Sequence, residues 1–414
     1  MRPVCRLIAA LLCLNAGGCA SAQVPRTAVR TGIDVLEAGG FRTLAGKRVG
    51  LITNPTGVTA DLRSTVDVLH KAPGVRLAAL YGPEHGIRGD IHAGDHVADS
   101  TDAPTGLPVH SLYGPTRKPT PAMLEGIDVL VFDIQDIGAR SYTFISTMAL
   151  AMEAAAEQGI AFVVLDRPNP LTGQRIEGSP LDLKFKSFVG HLPIPYLHGL
   201  TVGELAGMTN ASGWLAGGAR CDLTVVPMRG WKRRMWFDQT GLPWVPTSPH
   251  IPRADTAMFY AATGIMGELQ VVGEGVGYTL PFELAGAAFI DPFAFAAELN
   301  GRRLPGVIFR PLFYRPYYLR DVGTRYGGVQ LHITDRDRVD LTGLQFQVMD
   351  VVRRMYPDRP LFGTRRDDMF DKVCGTDRIR RMFLEGKSVS EILALWHAGR
   401  EAFRQARRPY LLYD

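Results

Sequence analysis

The sequence predicts an α/β protein: a Rossmann-like, doubly wound, mostly parallel sheet followed by a second, smaller α+β domain. Between residue 30 and about 170, short runs rich in valine, isoleucine and leucine alternate with stretches of helical spacing. Such runs are typical of parallel strands that helices cover on both faces. Beyond about residue 285 the chain becomes rich in aromatic residues and arginine. The length of 414 residues also favours two domains over one.

The individual elements follow from the period of the apolar residues. In the first part, helical spacing predicts helices over 32–40, 62–72 and 143–159. Continuous apolar runs predict strands over 48–53, 75–82, 127–134 and 160–166. In the second part, strict alternation predicts a strand over 328–335, and an amphipathic pattern predicts a helix over 341–357. No G-x-G-x-x-G motif follows the first strand, so a dinucleotide site is not supported.

The N-terminus is typical of an export signal. Arg2 and Arg6 precede an apolar stretch over 7–14 that is too short to span a bilayer. Two cleavage sites compete: a lipobox that leaves a lipidated Cys19 as the mature N-terminus, and an A-x-A site at 20–22. We assign 1–22 to the signal, 23–285 to the Rossmann-like catalytic domain and 286–414 to the smaller C-terminal domain. The expected location is the periplasm or a lipid anchor in the cell envelope.

The charge balance and the cysteine content limit which binding partners and disulfides are expected. The chain has 46 basic and 41 acidic side chains, and this balance does not favour nucleic-acid binding. No later apolar run is long enough to span a bilayer, so membrane contact is expected only through the N-terminal lipid. Cys221 and Cys374 either pair in an oxidising compartment or remain two buried free thiols.

Polar clusters follow four of the predicted strands. Because ligands of open α/β sheets bind outside the carboxyl ends of the strands, these clusters are expected to converge on one crevice. Asp133 and Asp166 have an alternative role as helix N-caps. Glu84 precedes a glycine-rich loop, where capping does not explain it. The clusters are Asn54 after the first strand, Glu84 and His85 after the second, Asp133, Asp136 and Arg140 after the third, and Asp166, Arg167 and Asn169 after the fourth.

Two other segments contain candidate functional residues, and each has more than one interpretation. His92 and His96 have the spacing of a helical zinc pair with His85 nearby, but Gly94 between them disfavours a helix and no HExxH motif is present. A metal site is therefore the weaker alternative. The glycine-rich loop 267–283 carries Glu268 and Glu274, and it either packs around a ligand or forms two β-turns with solvent-facing glutamates.

The role of three tryptophans also has two interpretations. Trp231, Trp236 and Trp244 offer aromatic surface that suits sugar rings, but packing in the core is the commoner role of tryptophan. Neither a G-x-S-x-G elbow nor a Walker A motif is present, which disfavours a serine hydrolase and a P-loop enzyme.

Several motifs together resemble the NamZ-like exo-β-N-acetylmuramidases, a family long catalogued as a domain of unknown function. They include "LITNPTGV", "LYGPEHGIRGD", "LPVHSLYGPTRKPTPAML", "DVLVFDIQDIGARSYTFISTM", "VVLDRPNPLTG", "SFVG" and "GLPWVPTSP". The resemblance covers essentially the whole mature chain and is densest from 50 to 250. It implies a glycoside hydrolase that removes terminal β-linked N-acetylmuramic acid from peptidoglycan fragments, without a metal or other cofactor.

The resemblance assigns Glu84 as the catalytic carboxylate. Glycoside cleavage needs a protonated carboxyl and usually a second anionic group. The end of an apolar strand suits the proton donor. His85 is expected to orient Glu84. The second group is left open among Asp136, Asp133, Glu274 and the substrate's own acetamido oxygen, with Asp136 placed in the catalytic set.

The remaining predicted residues bind substrate. The muramic lactyl group is a carboxylate, so a cation is expected, and arginine suits it best. The candidate cations are Arg88, Arg140 and Arg167. Asn54, Asn169 and His198 are expected to hydrogen-bond sugar hydroxyls, and the set is completed by Asp133, Tyr142, Asp166, Glu268 and Glu274.

One departure from the family pattern keeps a second function open. Val271 and Val276 stand where the family's loop has an asparagine and an arginine. The alternative is therefore a non-catalytic envelope protein that binds muropeptides or another glycan.

Overall fold

A computed structural model describes residues 29–89 and 99–414. A seven-stranded sheet in the order β3-β4-β2-β1-β5-β6-β7 forms its first part. All neighbouring strands are parallel except β3 and β4. The six parallel strands, counted along the chain, therefore lie in the order 3-2-1-4-5-6 of a doubly wound Rossmann-type sheet. The strands are β1 (Arg48–Thr53), β2 (Arg76–Gly82), β3 (Ser100–Thr101), β4 (Pro108–Ser111), β5 (Val129–Asp133), β6 (Ala161–Leu165) and β7 (Leu223–Val226).

Four helices cover this sheet: α1 (Gly32–Ala38), α2 (Thr65–His70), α3 (Phe144–Gln158) and α4 (Val202–Ala211). Side chains of a strand alternate between the two faces of its sheet. Val129 and Val131 of β5 accordingly pack in a core with α1 and α2. Leu130 and Phe132 of β5 pack in a second core with α3 and α4. Both faces are buried, which is why the strand sequences are continuously apolar.

The predicted elements of this part are present with shifts of a few residues at their ends. The strand predicted over 48–53 has those bounds, and the helix predicted over 143–159 spans 144–158. Gly159 ends α3 in the left-handed conformation, with φ +64°, as glycine does after many helices.

The second part of the chain contains a three-stranded antiparallel sheet in the order β8-β10-β9. Its strands are β8 (Leu284–Ala287), β9 (Val307–Tyr314) and β10 (Tyr326–Ile333). The helices are α5 (Thr256–Gly267), α6 (Pro292–Gly301), α7 (Leu341–Met355), α8 (Asp367–Cys374), α9 (Arg378–Leu384), α10 (Val389–Trp396) and α11 (Arg400–Ala406). The fold class is thus confirmed, whereas the domain boundary placed after residue 285 stays a prediction.

Short 3₁₀ helices connect the larger elements. They span Arg42–Leu44, Ala122–Leu124, Leu183–Phe185, Ala216–Gly218, Phe237–Gln239 and Arg408–Tyr410. Cys221 and Cys374 are free and buried, which is the second of the two alternatives above. Within residues 29–89 and 99–414, no helix has both the length and the apolar character needed to cross a membrane. The predicted signal and Cys19 lie outside the described residues.

Candidate active site

A cavity of about 510 Å³ lies between the carboxyl end of the large sheet and the helices of the second part. One wall comes from the loops after β2 and β4 and from the start of α3. The opposite wall comes from the segment before α5, from α5 and the loop that follows it, and from α8. The first wall includes Glu84, His85, Tyr113, Arg117, Tyr142 and Thr143, and the second includes Ser248, His250, Tyr260, Glu268, Phe282, Met369 and Lys372.

Glu84 enters this cavity from the turn that ends β2. The turn is closed by a hydrogen bond from the Gly86 N–H to the Pro83 carbonyl, at 2.9 Å. The Thr143 hydroxyl donates to a Glu84 carboxylate oxygen at 2.8 Å. Thr143 is the N-cap residue of α3, but its side chain makes no capping bond there. The hydroxyl that normally caps a helix is therefore used to hold Glu84.

The Tyr113 hydroxyl lies beside the same carboxylate. Burial raises the pKa of Tyr113 well above its ordinary value, and the charge and hydrogen bonding of Glu84 raise it further. Tyr113 therefore stays a neutral hydroxyl and suits a donor to Glu84. Glu84 is thus held in place by two hydroxyl side chains that come from different loops.

His85 has a backbone conformation that favours glycine. Its φ is +72°, in the left-handed region, and its side chain is 5% exposed and lines the cavity. A non-glycine residue there carries a backbone cost of roughly 1 kcal/mol. Such strain often occurs at functional sites, where the surrounding structure holds it. That His85 assists Glu84 stays a prediction.

Glu268 places a second carboxyl on the opposite wall. Burial raises its pKa, and the charge of Arg366, whose guanidinium lies 3.6 Å away, opposes that shift. Glu274 lies behind it, not among the lining residues. Burial raises the pKa of Glu274 to about 7. Gly267 leaves it room, since a Cβ atom there would lie 2.7 Å from the Glu274 carboxyl carbon.

Aromatic side chains form a continuous surface inside the cavity. Tyr142 packs edge-on against Phe144 and Tyr260, with ring centroids 5.1 and 5.7 Å apart, and Tyr260 packs edge-on against Phe282 at 5.0 Å. The Tyr142 hydroxyl is 2.7 Å from the Thr247 hydroxyl. Rigid rings with polar ends suit the binding of a sugar, which has apolar faces and polar edges. Tyr142 was predicted as a substrate-binding residue, and it lines this cavity.

Asp133 and Arg167 form a buried ion pair instead of facing the cavity. Two guanidinium nitrogens of Arg167 lie 2.5 and 2.9 Å from the Asp133 carboxylate oxygens, and Thr65 donates to the same carboxylate. Arg167 also donates to the Val58 carbonyl. These contacts occupy the crevice between β1 and β5, where the strand order reverses. What remains open there is a space of about 20 Å³.

Asp166, Asn169 and His198 are also used within the fold. Asp166 accepts hydrogen bonds from Thr201 and from the Gly203 N–H at the start of α4. The N-cap residue of α4 is Thr201, so Asp166 accepts one first-turn N–H without being the N-cap that the sequence offered as its alternative role. Asn169 bonds to the main chain of residues 171 and 200 through both ends of its amide. His198 is 1% exposed, and burial together with nearby arginine charges lowers its pKa to about 3. None of the three is among the residues that line the cavity.

Arg140 and Arg88 likewise have partners elsewhere. Arg140 is fully buried and donates to four main-chain carbonyls. Two belong to Ser179 and Ile194, and two belong to Val373 and Cys374 at the end of α8. Arg88 pairs with Asp102 at 2.7 Å. The geometry thus explains the presence of both arginines without a ligand, and their predicted role in binding substrate gains no support from it.

Asp136 and Asn54 each leave one buried polar atom without a partner in the described part of the chain. One Asp136 oxygen accepts from the Gly138 N–H at 2.7 Å, and the other has no donor there. Burial raises the pKa of Asp136 to about 7. The Asn54 oxygen accepts from Thr56, and its amide nitrogen has no acceptor there. Neither residue lines the cavity.

The cavity includes residues that the sequence reasoning did not select. Tyr113 and Arg117 lie in the motif "LYGPTRKP", Phe188 in "SFVG" and His250 next to "VPTSP", so these motifs were the available signal. Lys372 lies on α8, where no motif pointed to it. The loop 267–283 contributes Glu268 and Phe282 to the lining, whereas Val271 packs against the core.

The structure bears on two further alternatives, the tryptophans as a sugar-binding surface and the histidines as a metal site. Trp231 and Trp236 are buried, and Trp244 packs edge-on against Phe237, so all three serve packing. Within the residues that the structure describes, no group of three or more His, Cys, Asp or Glu side chains is arranged to hold a metal ion. His92 and His96 lie outside those residues.

Comparison with known proteins gives matches along nearly the whole chain. A family model described as the N-terminal part of exo-β-N-acetylmuramidase NamZ matches residues 49–255, and one described as its C-terminal part matches 258–413. The chain is 47% identical over 385 residues to a Bacillus subtilis (strain 168) protein described as peptidoglycan β-N-acetylmuramidase NamZ. The match covers 93% of this chain and 91% of that protein.

Two solved structures from Bacteroides fragilis NCTC 9343, both described as DUF1343 family proteins, share the fold. One superposes with a TM-score of 0.90 at 50% identity and covers 94% of this chain and 100% of that one. The other has a TM-score of 0.74 at 30% identity and covers 93% of this chain and 99% of that one.

Proposed function

Because the chain belongs to the NamZ family of exo-β-N-acetylmuramidases, we propose that it releases terminal β-linked N-acetylmuramic acid from peptidoglycan fragments with Glu84 as the proton donor. The observation that carries this assignment is the position of Glu84. Its carboxyl enters the cavity described above at the carboxyl end of β2, beside Thr143 and Tyr113. Glu84 thus lies outside the carboxyl ends of the strands, the side of an open α/β sheet on which ligands bind, although not at the point where the strand order reverses.

The chemistry requires a proton at the glycosidic oxygen. In the proposed step, the Glu84 carboxyl transfers its proton to that oxygen as the bond from the anomeric carbon to it breaks. Water then adds to the anomeric carbon and releases a proton. The products are the free sugar and the shortened fragment, and Glu84 is reprotonated for the next turnover.

We propose Glu268 as the group that takes the proton from water. It is the other carboxyl among the cavity residues named above, and it lies on the wall opposite Glu84. Of the earlier candidates, Asp133 and Asp136 are buried, and neither they nor Glu274 are among the lining residues. If Glu268→Gln keeps near-normal kcat, the assignment of Glu268 is wrong. That result would favour the other open candidate, attack on the anomeric carbon by the substrate's own acetamido oxygen.

The decisive experiment compares leaving groups. We expect Glu84→Gln to lower kcat/KM by about 100-fold or more on a disaccharide substrate, whose sugar leaving group needs protonation. The loss on 4-nitrophenyl β-N-acetylmuramide should be smaller, because nitrophenolate departs without a proton. Glu125→Gln, an exposed glutamate outside the cavity, is the matched control.

Two outcomes would contradict the proposal. Equal losses on both substrates would mean that Glu84 is not the proton donor. Tight binding of amino sugars without turnover by the unchanged protein would favour the glycan-binding alternative instead of a hydrolase.

We further propose that the protein is exported, either anchored through a lipid on Cys19 or cleaved after Ala22. The basic and apolar pattern of residues 1–22 supports export, and so does a substrate that lies outside the cytoplasm. Mass spectrometry of the mature N-terminus in the native host distinguishes the two forms. A Cys19→Ser variant should leave the membrane fraction if the lipid is the anchor, and an intact Met1 in the mature protein would refute export.

A further inference from the structure

Four basic side chains line the cavity: His85, Arg117, His250 and Lys372. The Lys372 ammonium lies 2.6 Å from an Asp368 carboxylate oxygen, so its charge is already compensated. His250 stacks on the ring of Tyr318, with centroids 5.9 Å apart. Among the described residues, the partner found for the Arg117 guanidinium is the Phe188 ring and not a carboxylate. Arg117 is therefore the permanent cation that this cavity offers to a ligand.

Arg117 is held at the wall that carries Glu84. Its guanidinium carbon lies 4.4 Å from the centre of the Phe188 ring, and Phe188 packs against Tyr113 with centroids 6.0 Å apart. Tyr113 lies beside Glu84, and the positive charge of Arg117 partly offsets the rise in the pKa of the Tyr113 hydroxyl. A ligand group bound by Arg117 would thus belong to the same molecule that reaches Glu84.

The stacking also prepares the guanidinium for a planar anion. Arginine side chains are flexible, and contact with an aromatic face restricts them and leaves the edge N–H groups free to donate. Those N–H groups match the two oxygens of a carboxylate and bind it with two parallel hydrogen bonds. A neutral sugar hydroxyl gains much less from such a site than a carboxylate does.

We infer that Arg117 binds the lactyl carboxylate of the terminal sugar and so sets the selectivity for N-acetylmuramic acid over N-acetylglucosamine, which lacks that group. This inference rests on the proposed function. It replaces Arg88, Arg140 and Arg167 as the expected lactyl partner, because those three side chains already bond to Asp102, to main-chain carbonyls and to Asp133.

The test distinguishes the contribution of the lactyl carboxylate from that of the rest of the sugar. Three substrates are compared: 4-nitrophenyl β-N-acetylmuramide, its lactyl methyl ester and 4-nitrophenyl β-N-acetylglucosaminide. For Arg117→Ala we expect kcat/KM on the free acid to fall about 10- to 100-fold, the range for losing a charge-assisted hydrogen-bonded contact. Rates on the ester and the glucosaminide should change by less than about threefold, because neither offers a carboxylate to Arg117. Arg117→Lys should recover part of the preference for the acid, because it keeps the charge without the planar fork.

Lys118→Ala is the matched control, because it removes the neighbouring cation from the same loop. The Lys118 ammonium lies 2.5 Å from a Glu157 oxygen and is not among the lining residues. We expect its preference for the acid to equal that of the unchanged protein.

Two results would overturn the inference. One is an equal loss on acid and ester in Arg117→Ala, which would indicate a structural role. The other is a loss of the preference in Lys372→Ala with none in Arg117→Ala. If the unchanged protein hydrolyses none of the substrates, the proposed function fails separately. Calorimetry with N-acetylmuramic acid and its methyl ester then tests Arg117 by binding alone, and equal affinities in the unchanged protein would overturn it.

Discussion

Arg140 offers the sharpest test of a structural role against a binding role. Its guanidinium is buried and donates to the carbonyls of Ser179, Ile194, Val373 and Cys374, at distances from 2.6 to 3.2 Å. The first two carbonyls lie in the segment between β6 and α4, and the last two lie at the end of α8. Arg140 therefore ties the sheet part to the second part of the chain, and Arg140→Met removes this connection.

The size of the effect follows from two opposing contributions. Four hydrogen bonds from a charged donor, at about 1.5 kcal/mol each, stabilise the fold by about 6 kcal/mol. Burial lowers the pKa of Arg140 to about 10, well below the ordinary value of arginine, which corresponds to about 3 kcal/mol of desolvation that the substitution removes. The net loss is about 3 kcal/mol. With an unfolding entropy of about 2.1 cal/mol/K per residue, a chain of this size should lose about 4 °C in Tm.

Thermal unfolding and steady-state kinetics on the same samples give the answer. At 20 °C, kcat/KM of Arg140→Met should stay within about tenfold of the unchanged protein, because the side chain does not line the cavity. Arg220→Met, an exposed arginine that donates to one carbonyl, is the matched control and should shift Tm by less than about 1 °C. An unchanged Tm with a loss of activity near 100-fold would refute this reasoning. It would indicate that Arg140 binds the substrate, as the sequence analysis predicted.

Three further substitutions test neighbouring assignments. The folded protein keeps the Asp136 proton up to about pH 7, whereas the unfolded chain releases it near 3.8, so this group's contribution to stability falls as pH rises between those values. Asp136→Asn should therefore gain stability relative to the unchanged protein between pH 5 and pH 8, by at most about 4 kcal/mol in thermal unfolding, and a drop in kcat without that gain would place Asp136 in catalysis. Asp133→Asn leaves Arg167 buried without its anion and should cost about 3–5 kcal/mol in denaturant unfolding; an unchanged unfolding midpoint would argue against a structural pair. His85→Gly relieves the left-handed backbone, so stability should stay within about 1 kcal/mol while kcat falls at least about tenfold, and full activity would show that the imidazole is dispensable.

The sequence alone determined the sheet and the position of one catalytic candidate. Continuous apolar strands at 48–53, 127–134 and 160–166 require cover on both faces, and parallel strands place their carboxyl ends at one edge. Glu84 follows such a strand and precedes glycines, so it had no capping role to compete with catalysis. These are local rules, and a single chain suffices to apply them.

Which polar side chains face the cavity was decided by the tertiary structure. Asp133, Asp166 and Arg167 also follow strands, yet they bond to residues that the fold brings from elsewhere: Thr65, Thr201 and Asp133 itself. A buried charge must find a partner, and the sequence does not say whether that partner is a ligand or another side chain.

The other residues of the cavity could likewise not be predicted from local sequence patterns. Glu268, His250 and Lys372 reach the cavity because the helices of the second part pack over the edge of the sheet, and Arg117 reaches it because Phe188 supports the guanidinium. The strand that presents Glu84 can be predicted from the apolar pattern of its own sequence, because that pattern involves only neighbouring residues. The residues that meet Glu84 across the cavity depend on packing between distant segments, and only the assembled fold determines that.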